Sequence, residues 1–136
     1  MLTASTAALA KLEVQLEQRH RLSVAAFQVL LNLSQADGQR LRPQNLVNYT
    51  GLTKSGVSRL VDRLEAASLI ETASCPSDRR GAFAVLTEQG RARLDAANST
   101  HSRAIEELFG QHFTTDEAER LTALLTRVTA ARAAPI

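Results

Sequence analysis

The stretch from Gly51 to Glu65 constrains the fold of this chain more than any other part of the sequence. Thr53 is a residue type that favours the cap position before a helix. Apolar residues then recur at spacings of three and four, which predicts a helix with one buried face. These residues are Val57, Leu60, Val61 and Leu64. The other positions are rich in Lys, Arg and Ser, which bond to phosphate oxygens and base edges. Two interpretations fit: a DNA recognition helix, or an ordinary amphipathic helix with a solvated basic face.

A second, shorter helix is predicted immediately before this stretch. Pro43 suits the first position of a helix, because its missing N–H would have no intrahelical partner there. Leu46 and Val47 supply an apolar side, and Gly51 ends the helix. The three residues 51–53 then form a tight turn between two helices, which is the helix-turn-helix arrangement. Any helical hairpin in a small domain gives the same pattern. The flanking sequence is therefore needed to distinguish a helix-turn-helix from an ordinary helical hairpin.

Two segments after the second helix tolerate β-structure. Residues 69–74 are short and rich in β-compatible types, and residues 82–87 alternate well enough for a strand. The link between them, residues 75–81, is rich in turn formers and carries the adjacent arginines Arg79 and Arg80. We therefore predict a β-hairpin with a basic tip. A helix-turn-helix followed by such a hairpin is a winged helix, so the predicted fold class is mainly α with a small β-hairpin wing.

Further helices are predicted at both ends of the chain. Leucines at positions 9, 12 and 16 form a narrow stripe, which by itself would bury little apolar surface. Ser23 is suited to cap the next helix, which residues 36–38 would end. The residues expected to share its inner face are Val24, Phe27, Leu30, Leu31 and Ser34.

After the hairpin, Thr87 is suited to cap a long helix running from Glu88 to about Phe109. Residues 114–117, Thr-Thr-Asp-Glu, match a capping box, which predicts the start of a last helix. That helix carries a clear apolar stripe made of Leu121, Leu124, Leu125 and Val128. Neither this stripe nor the narrow N-terminal one has an obvious place inside a small winged helix.

Composition excludes several classes of protein. One cysteine, Cys75, leaves no internal disulfide framework and fits a reducing compartment. No signal peptide and no apolar run of about 20 residues is apparent, so we expect a soluble cytoplasmic protein without membrane contact. His20, His101 and His112 lack the spacing of metal ligands. We find no nucleophile–base set or phosphate loop, so neither an enzyme nor a cofactor is predicted.

From about His20 to Val128 the chain resembles the MarR family of transcriptional regulators. The helix-turn-helix from Leu46 to Leu64 carries part of the resemblance. More specific are Asp-Arg-Arg at residues 78–80 in the wing and Val-Leu-Thr-Glu-Gln-Gly at residues 85–90, where the wing leads into the long helix. Two features depart from the family pattern. Ala-Ser stands at residues 67–68 where many members carry glycine, and Glu-Thr at residues 71–72 replaces residues that are often basic.

The resemblance implies a homodimer that binds double-stranded DNA. Residues 1–30 and 100–136 would form a helical dimerisation region, and residues 31–99 the winged helix-turn-helix. Two recognition helices would enter successive major grooves of a pseudo-palindromic operator. A small aromatic or phenolic effector would bind between these regions, where His20 and Phe27 are candidates for its border. Ordinary core packing is the alternative for both residues.

The DNA-binding residues predicted from the motif and from the residue chemistry are Thr53, Lys54, Ser55, Gly56, Ser58, Arg59, Arg63, Asp78, Arg79 and Arg80. Gly56 would allow close approach of the backbone to DNA, and Arg59 would read a guanine or touch a phosphate. One of Arg79 and Arg80 would enter the minor groove, whose negative potential favours arginine. Cys75 is expected to be inert, and the alternative is a redox-sensing thiol. The sequence leaves open an activator instead of a repressor, and a winged helix that binds protein rather than DNA.

Overall fold

The computed structural model describes residues 2–74, 82–107 and 112–133. It contains two compact units, residues 1–100 and residues 101–136, which are treated separately below. The described residues form six α-helices, one 3₁₀ turn and a small antiparallel sheet. The predicted fold class, a mainly helical protein with a winged helix-turn-helix, is confirmed. No helix within the described ranges combines the length and the hydropathy needed to cross a membrane.

The first two helices of the first unit are α1 (Leu2–His20) and α2 (Val24–Gln35). Ser23 caps α2 as predicted, since its hydroxyl accepts a hydrogen bond from the Ala26 backbone N–H at 3.1 Å. The narrow stripe of α1 is better buried than we expected. Leu12 and Leu16 have exposed fractions of 5% and 0%, and α1 packs against α2. Tertiary packing therefore buries these two leucines, which the pattern of α1 alone did not indicate.

The buried face of α2 lies slightly to one side of the predicted face. Phe27 and Leu30 are fully buried as expected, whereas Leu31 is only half-buried. The remaining buried positions are Ala26, Val29 and Leu33. This helix is central in the first unit, because it contacts α1 on one side and the winged-helix elements on the other.

The helix-turn-helix is formed by α3 (Pro43–Thr50) and α4 (Lys54–Ala66), with Pro43 in the first turn as predicted. Gly51 ends α3 in the left-handed conformation, with φ of 69°, which costs glycine little. Thr53 then caps α4, because its hydroxyl accepts from the Gly56 backbone N–H at 3.1 Å. The predicted three-residue turn is therefore confirmed in its position and its capping chemistry.

Within the described residues the sheet has three strands, where the sequence predicted two. Strands β2 (Ile70–Ser74) and β3 (Ala82–Leu86) form the predicted antiparallel pair. A two-residue strand, β1 (Arg40–Leu41), pairs with the other side of β3 after a 3₁₀ turn at Asp37–Gln39. Two residues are too few for an alternation pattern, so β1 is defined by its partner strand and not by its own sequence.

The long helix α5 (Glu88–Ile105) begins where predicted, after Thr87, and the last helix α6 spans Thr115–Ala133. Thr114 caps α6, because its hydroxyl accepts from the Glu117 backbone N–H at 3.2 Å and bonds to the Glu117 carboxylate at 3.1 Å. The side chains of Leu124, Leu125 and Val128 are more than half exposed, at 54%, 56% and 63%. Three of the four residues of the apolar stripe of α6 are therefore largely exposed in this single chain, whereas Leu121 is half-buried.

Candidate nucleic-acid interface

Helix α4 separates an apolar face from a polar one, as its sequence predicted. Its four apolar residues, from Val57 to Leu64, have exposed fractions of 7% or less. The polar residues predicted to bind DNA lie on the exposed side, and they are Thr53, Lys54, Ser55, Ser58, Arg59 and Arg63. Burying the apolar face fixes the rotation of α4 against α3 and the sheet, so the cationic and hydroxyl groups point outward together.

Gly56 is half-buried, and its environment gives it a structural role as well as the predicted one. A Cβ atom at this position would lie 3.3 Å from both Leu52 Cβ and Thr53 Oγ1. Both contacts are tight, but both involve side-chain atoms that have some freedom to move. The absence of a side chain at Gly56 thus helps the capping turn to close, in addition to leaving the start of α4 open.

A groove of about 250 Å³ runs along the junction of α3 and α4. Pro43, Gln44 and Val47 border it on the α3 side, and Lys54 and Ser58 are among its residues on the α4 side. The start of α3 is therefore part of the same surface as the exposed side of α4. We call this surface the recognition surface: the α3–α4 groove together with the exposed polar residues of α4.

The stem of the wing is the antiparallel pair of strands β2 and β3. Thr87 links it to α5, because its hydroxyl donates to the Ser68 carbonyl at 2.7 Å and accepts from the Gly90 backbone N–H at 3.0 Å. Ser68, one of the two residues that depart from the pattern expected before the first wing strand, adopts a left-handed conformation with φ of 60°. The tip, with Cys75, Asp78, Arg79 and Arg80, lies outside the described residues, so the predictions for those side chains remain predictions.

A basic depression of about 390 Å³ lies between the end of α1 and helix α5. Its lining includes three arginines, Arg19, Arg21 and Arg93. His20 also lines it and is hydrogen-bonded through Nε2 to Thr100 Oγ1 at 2.7 Å. Arg93 is tied to α1 because its guanidinium donates to the His20 carbonyl at 3.2 Å. Phe27, the second residue that we considered for an effector site, is buried in the core instead.

Across residues 2–74, 82–107 and 112–133, no three His, Cys, Asp or Glu side chains are grouped closely enough to hold a metal ion. The chemistry that the site does offer is cationic and hydroxyl, and it is suited to binding anionic backbones and base edges.

Comparison with known proteins also indicates a winged helix that binds DNA. A model of the MarR family matches residues 21–81. The transcriptional regulator MhqR of Bacillus subtilis is 31% identical over 110 residues, which cover 81% of this chain and 74% of MhqR.

Solved structures of other MarR-family regulators are similar in fold. Sco3205 of Streptomyces coelicolor, a MarR-family regulator crystallised with DNA, has a TM-score of 0.85 and 28% identity, covering 98% of this chain and 83% of Sco3205. BpsR of Bordetella bronchiseptica, whose DNA binding is regulated by 6-hydroxynicotinic acid, has a TM-score of 0.77 and 23% identity, covering 93% of this chain and 88% of BpsR. The winged-helix geometry, the MarR-family match and the similarity to MhqR together identify this chain as a DNA-binding transcriptional regulator of the MarR family.

Proposed function

We propose that this chain is a cytoplasmic, ligand-responsive repressor that binds a pseudo-palindromic operator as a homodimer. The observation that carries the proposal is the recognition surface, where one helix presents several cations and hydroxyls beside an open groove. Such a helix fits the major groove, which displays a distinct pattern of donors and acceptors for each base pair.

Individual residues of α4 have different proposed roles. Ser55, Ser58 and Arg59 read the major groove, since they lie on its exposed side near its N-terminal end, and the half-buried Gly56 allows the backbone to approach the DNA there. Thr53 positions that end by capping it, and two basic residues, Lys54 and Arg63, bind phosphates. In the wing, one of Arg79 and Arg80 enters the minor groove, while the other pairs with Asp78 or with a phosphate.

The proposed dimer uses residues 1–30 and 100–136, with residues 31–99 as the DNA-binding region. Its support is the apolar stripe of α6, where three large side chains are more than half exposed. A two-fold axis through that region would place two copies of α4 about 34–36 Å apart, one turn of the duplex. Each half of the operator would then be read by one protomer.

The test of DNA recognition begins with selecting operator fragments from genomic DNA with the purified protein. On the selected operator, Arg59→Ala is expected to weaken binding by about 10- to 100-fold and to relax specificity at one base pair, because a bidentate base contact is lost. Lys54→Ala is the matched comparison, since it also removes an exposed cation from α4. It is expected to weaken specific and mixed-sequence DNA alike.

A protein that selects no fragment and shows no salt-sensitive affinity for DNA would refute the proposal. It would favour the alternative, in which the winged helix binds another protein. If Arg59→Ala weakened binding to operator and to mixed-sequence DNA equally, as is expected of Lys54→Ala, Arg59 would be a phosphate contact and would not read a base.

The proposed effector is a small aromatic acid or phenol that binds the basic depression between α1 and α5. The three arginines favour an anionic group such as a carboxylate. Because the depression joins α1 to α5, a ligand there makes contacts that depend on how the two helices are placed. A ligand that prefers one placement of α1 and α5 increases the fraction of dimers that have this placement. The spacing between the two recognition helices changes accordingly.

Replacing Arg19 with glutamine is expected to weaken binding of benzoate and hydroxybenzoates about tenfold, because one charge-assisted hydrogen bond is lost. The binding of phenol, which carries no charge at neutral pH, should change less. Isothermal titration measures both, and Arg91→Gln is the matched control, because Arg91 lies on α5 but does not line the depression. Equal losses for benzoate in the Arg19 and Arg91 variants would argue against a site at the depression.

A further inference from the structure

Two arginines outside the predicted DNA-binding set share one aromatic ring. The guanidinium carbon of Arg40 lies 5.1 Å from the centroid of the Phe83 ring, and that of Arg42 lies 5.2 Å from it. Both distances are within the range of cation–π attraction. The two positive charges are therefore held no more than about 10 Å apart, since both lie close to the same ring.

The strand register explains why these three residues meet. In the β1–β3 pair, Arg40 lies opposite Val85, and Leu41 lies opposite Ala84. Side chains alternate between the faces of a sheet, so Phe83 and Val85 share one face, and Ala84 lies on the other. Ala84 is 1% exposed and faces the core, which places Phe83 and its two arginines on the outer face of the wing stem.

Phe83 and Arg42 are half-buried, and Arg40 is exposed. Cation–π attraction keeps both guanidiniums close to the Phe83 ring and therefore close to one another. An anion that contacts both groups gains charge-assisted hydrogen bonds from each of them. The arrangement is thus pre-organised for an extended anion, because the ring limits the positions that the two flexible side chains adopt.

The location of the pair indicates which anion it meets. Arg42 immediately precedes Pro43, which borders the α3–α4 groove together with Lys54 and Ser58. Phe83 lies on β3, the strand that returns from the wing. The pair therefore lies between the recognition surface and the wing. A duplex with α4 in its major groove and the wing in its minor groove has a sugar–phosphate strand between those two contacts.

We propose that Arg40 and Arg42, held on the ring of Phe83, bind the phosphates of the DNA strand that passes between the recognition helix and the wing. This inference rests on the DNA-binding role proposed above and adds two residues to it. The pair contacts phosphates and no base edges, so it strengthens binding to every sequence alike.

The test measures the salt dependence of binding to a short mixed-sequence duplex by fluorescence anisotropy, between about 50 and 200 mM salt. The logarithm of the affinity falls linearly with the logarithm of the salt concentration, with a slope set by the number of phosphates neutralised. We expect Arg40→Gln and Arg42→Gln each to reduce the magnitude of the slope by about one per protomer. The double variant should reduce it by about two per protomer.

Arg91→Gln provides the matched control, because it removes one exposed positive charge from α5 and leaves the wing stem intact. Circular dichroism of each variant checks that it is folded. A double variant that keeps the wild-type slope overturns this inference and leaves the proposed function standing, and so does an Arg91 variant that lowers the slope as much as either single variant. A wild-type protein without salt-dependent DNA binding overturns both proposals.

Discussion

Replacing Gly90 with alanine is expected to lower the free energy of unfolding by about 3 kcal/mol and the melting temperature by roughly 10 °C. A Cβ atom at this position would lie 2.0 Å from the Leu69 carbonyl oxygen and 2.8 Å from Leu86 Cδ1. The first of these atoms belongs to the backbone, so no side-chain rotation relieves the overlap. The same carbonyl accepts a hydrogen bond from the Thr87 N–H at 3.2 Å, which the displacement would also break.

Thermal unfolding followed by circular dichroism measures the effect, and Gly56→Ala is the matched control. Both substitutions add one methyl group to a glycine near the start of a helix. At Gly56 the new atom meets side-chain atoms at 3.3 Å, and alanine gains about 1 kcal/mol in helix propensity. The melting temperature of the Gly56 variant should therefore stay near that of the wild type. Similar melting temperatures for the two variants would contradict the close packing of α5 on Leu69.

The same geometry explains the sequence motif at the exit of the wing. In Leu86-Thr87-Glu88-Gln89-Gly90, the threonine caps α5 and holds the Ser68 carbonyl, and the glycine lets the helix lie directly against Leu69. The threonine and the glycine of this motif thus act together to connect the wing to α5. Its residue types were recognisable from the sequence, but the atom that requires glycine at position 90 is a carbonyl 21 residues earlier in the chain.

Local chemistry determined which elements the sequence could predict. Ser23, Thr53, Thr87 and Thr114 each bond to a backbone N–H within three residues, so the starts of four helices could be predicted from short segments. The exposed side of α4 followed from its apolar period of three and four. That side contains most of the candidate site, and for this reason the candidate site was largely accessible from one stretch of sequence.

Contacts between distant segments account for what the sequence did not predict. Strand β1 exists because β3 offers it a partner. Arg40 and Arg42 join the candidate site through Phe83, about 40 residues later in the chain. Their spacing was a local signal, since residues two apart lie on the same side of an extended segment, and Arg42 continues the extended backbone of β1 up to α3. Leu12 and Leu16 are buried by packing that a narrow stripe does not specify.

Introducing aspartate into the apolar stripe of α6 is expected to abolish the proposed dimer and to weaken operator binding by about 100-fold or more. In the single chain, Leu124 and Leu125 are more than half exposed, so Leu124→Asp and Leu125→Asp disturb little within one protomer. In a dimer, each would place a charge in an apolar contact without a partner. A monomer binds one half-site alone. It therefore loses the gain in affinity, about 10²- to 10⁴-fold, that comes from linking two binding modules.

Light scattering after size exclusion measures the mass of each variant, and an operator titration measures its affinity. Ala123→Asp is the matched control, because Ala123 is exposed on the side of α6 away from Leu121 and Leu125, and the same charge is introduced. We expect this control to remain a dimer with wild-type affinity. If the Leu124 and Leu125 variants also remained dimeric and bound the operator normally, the stripe would have no part in assembly. A monomeric variant that bound the operator with wild-type affinity would show instead that one winged helix suffices for recognition.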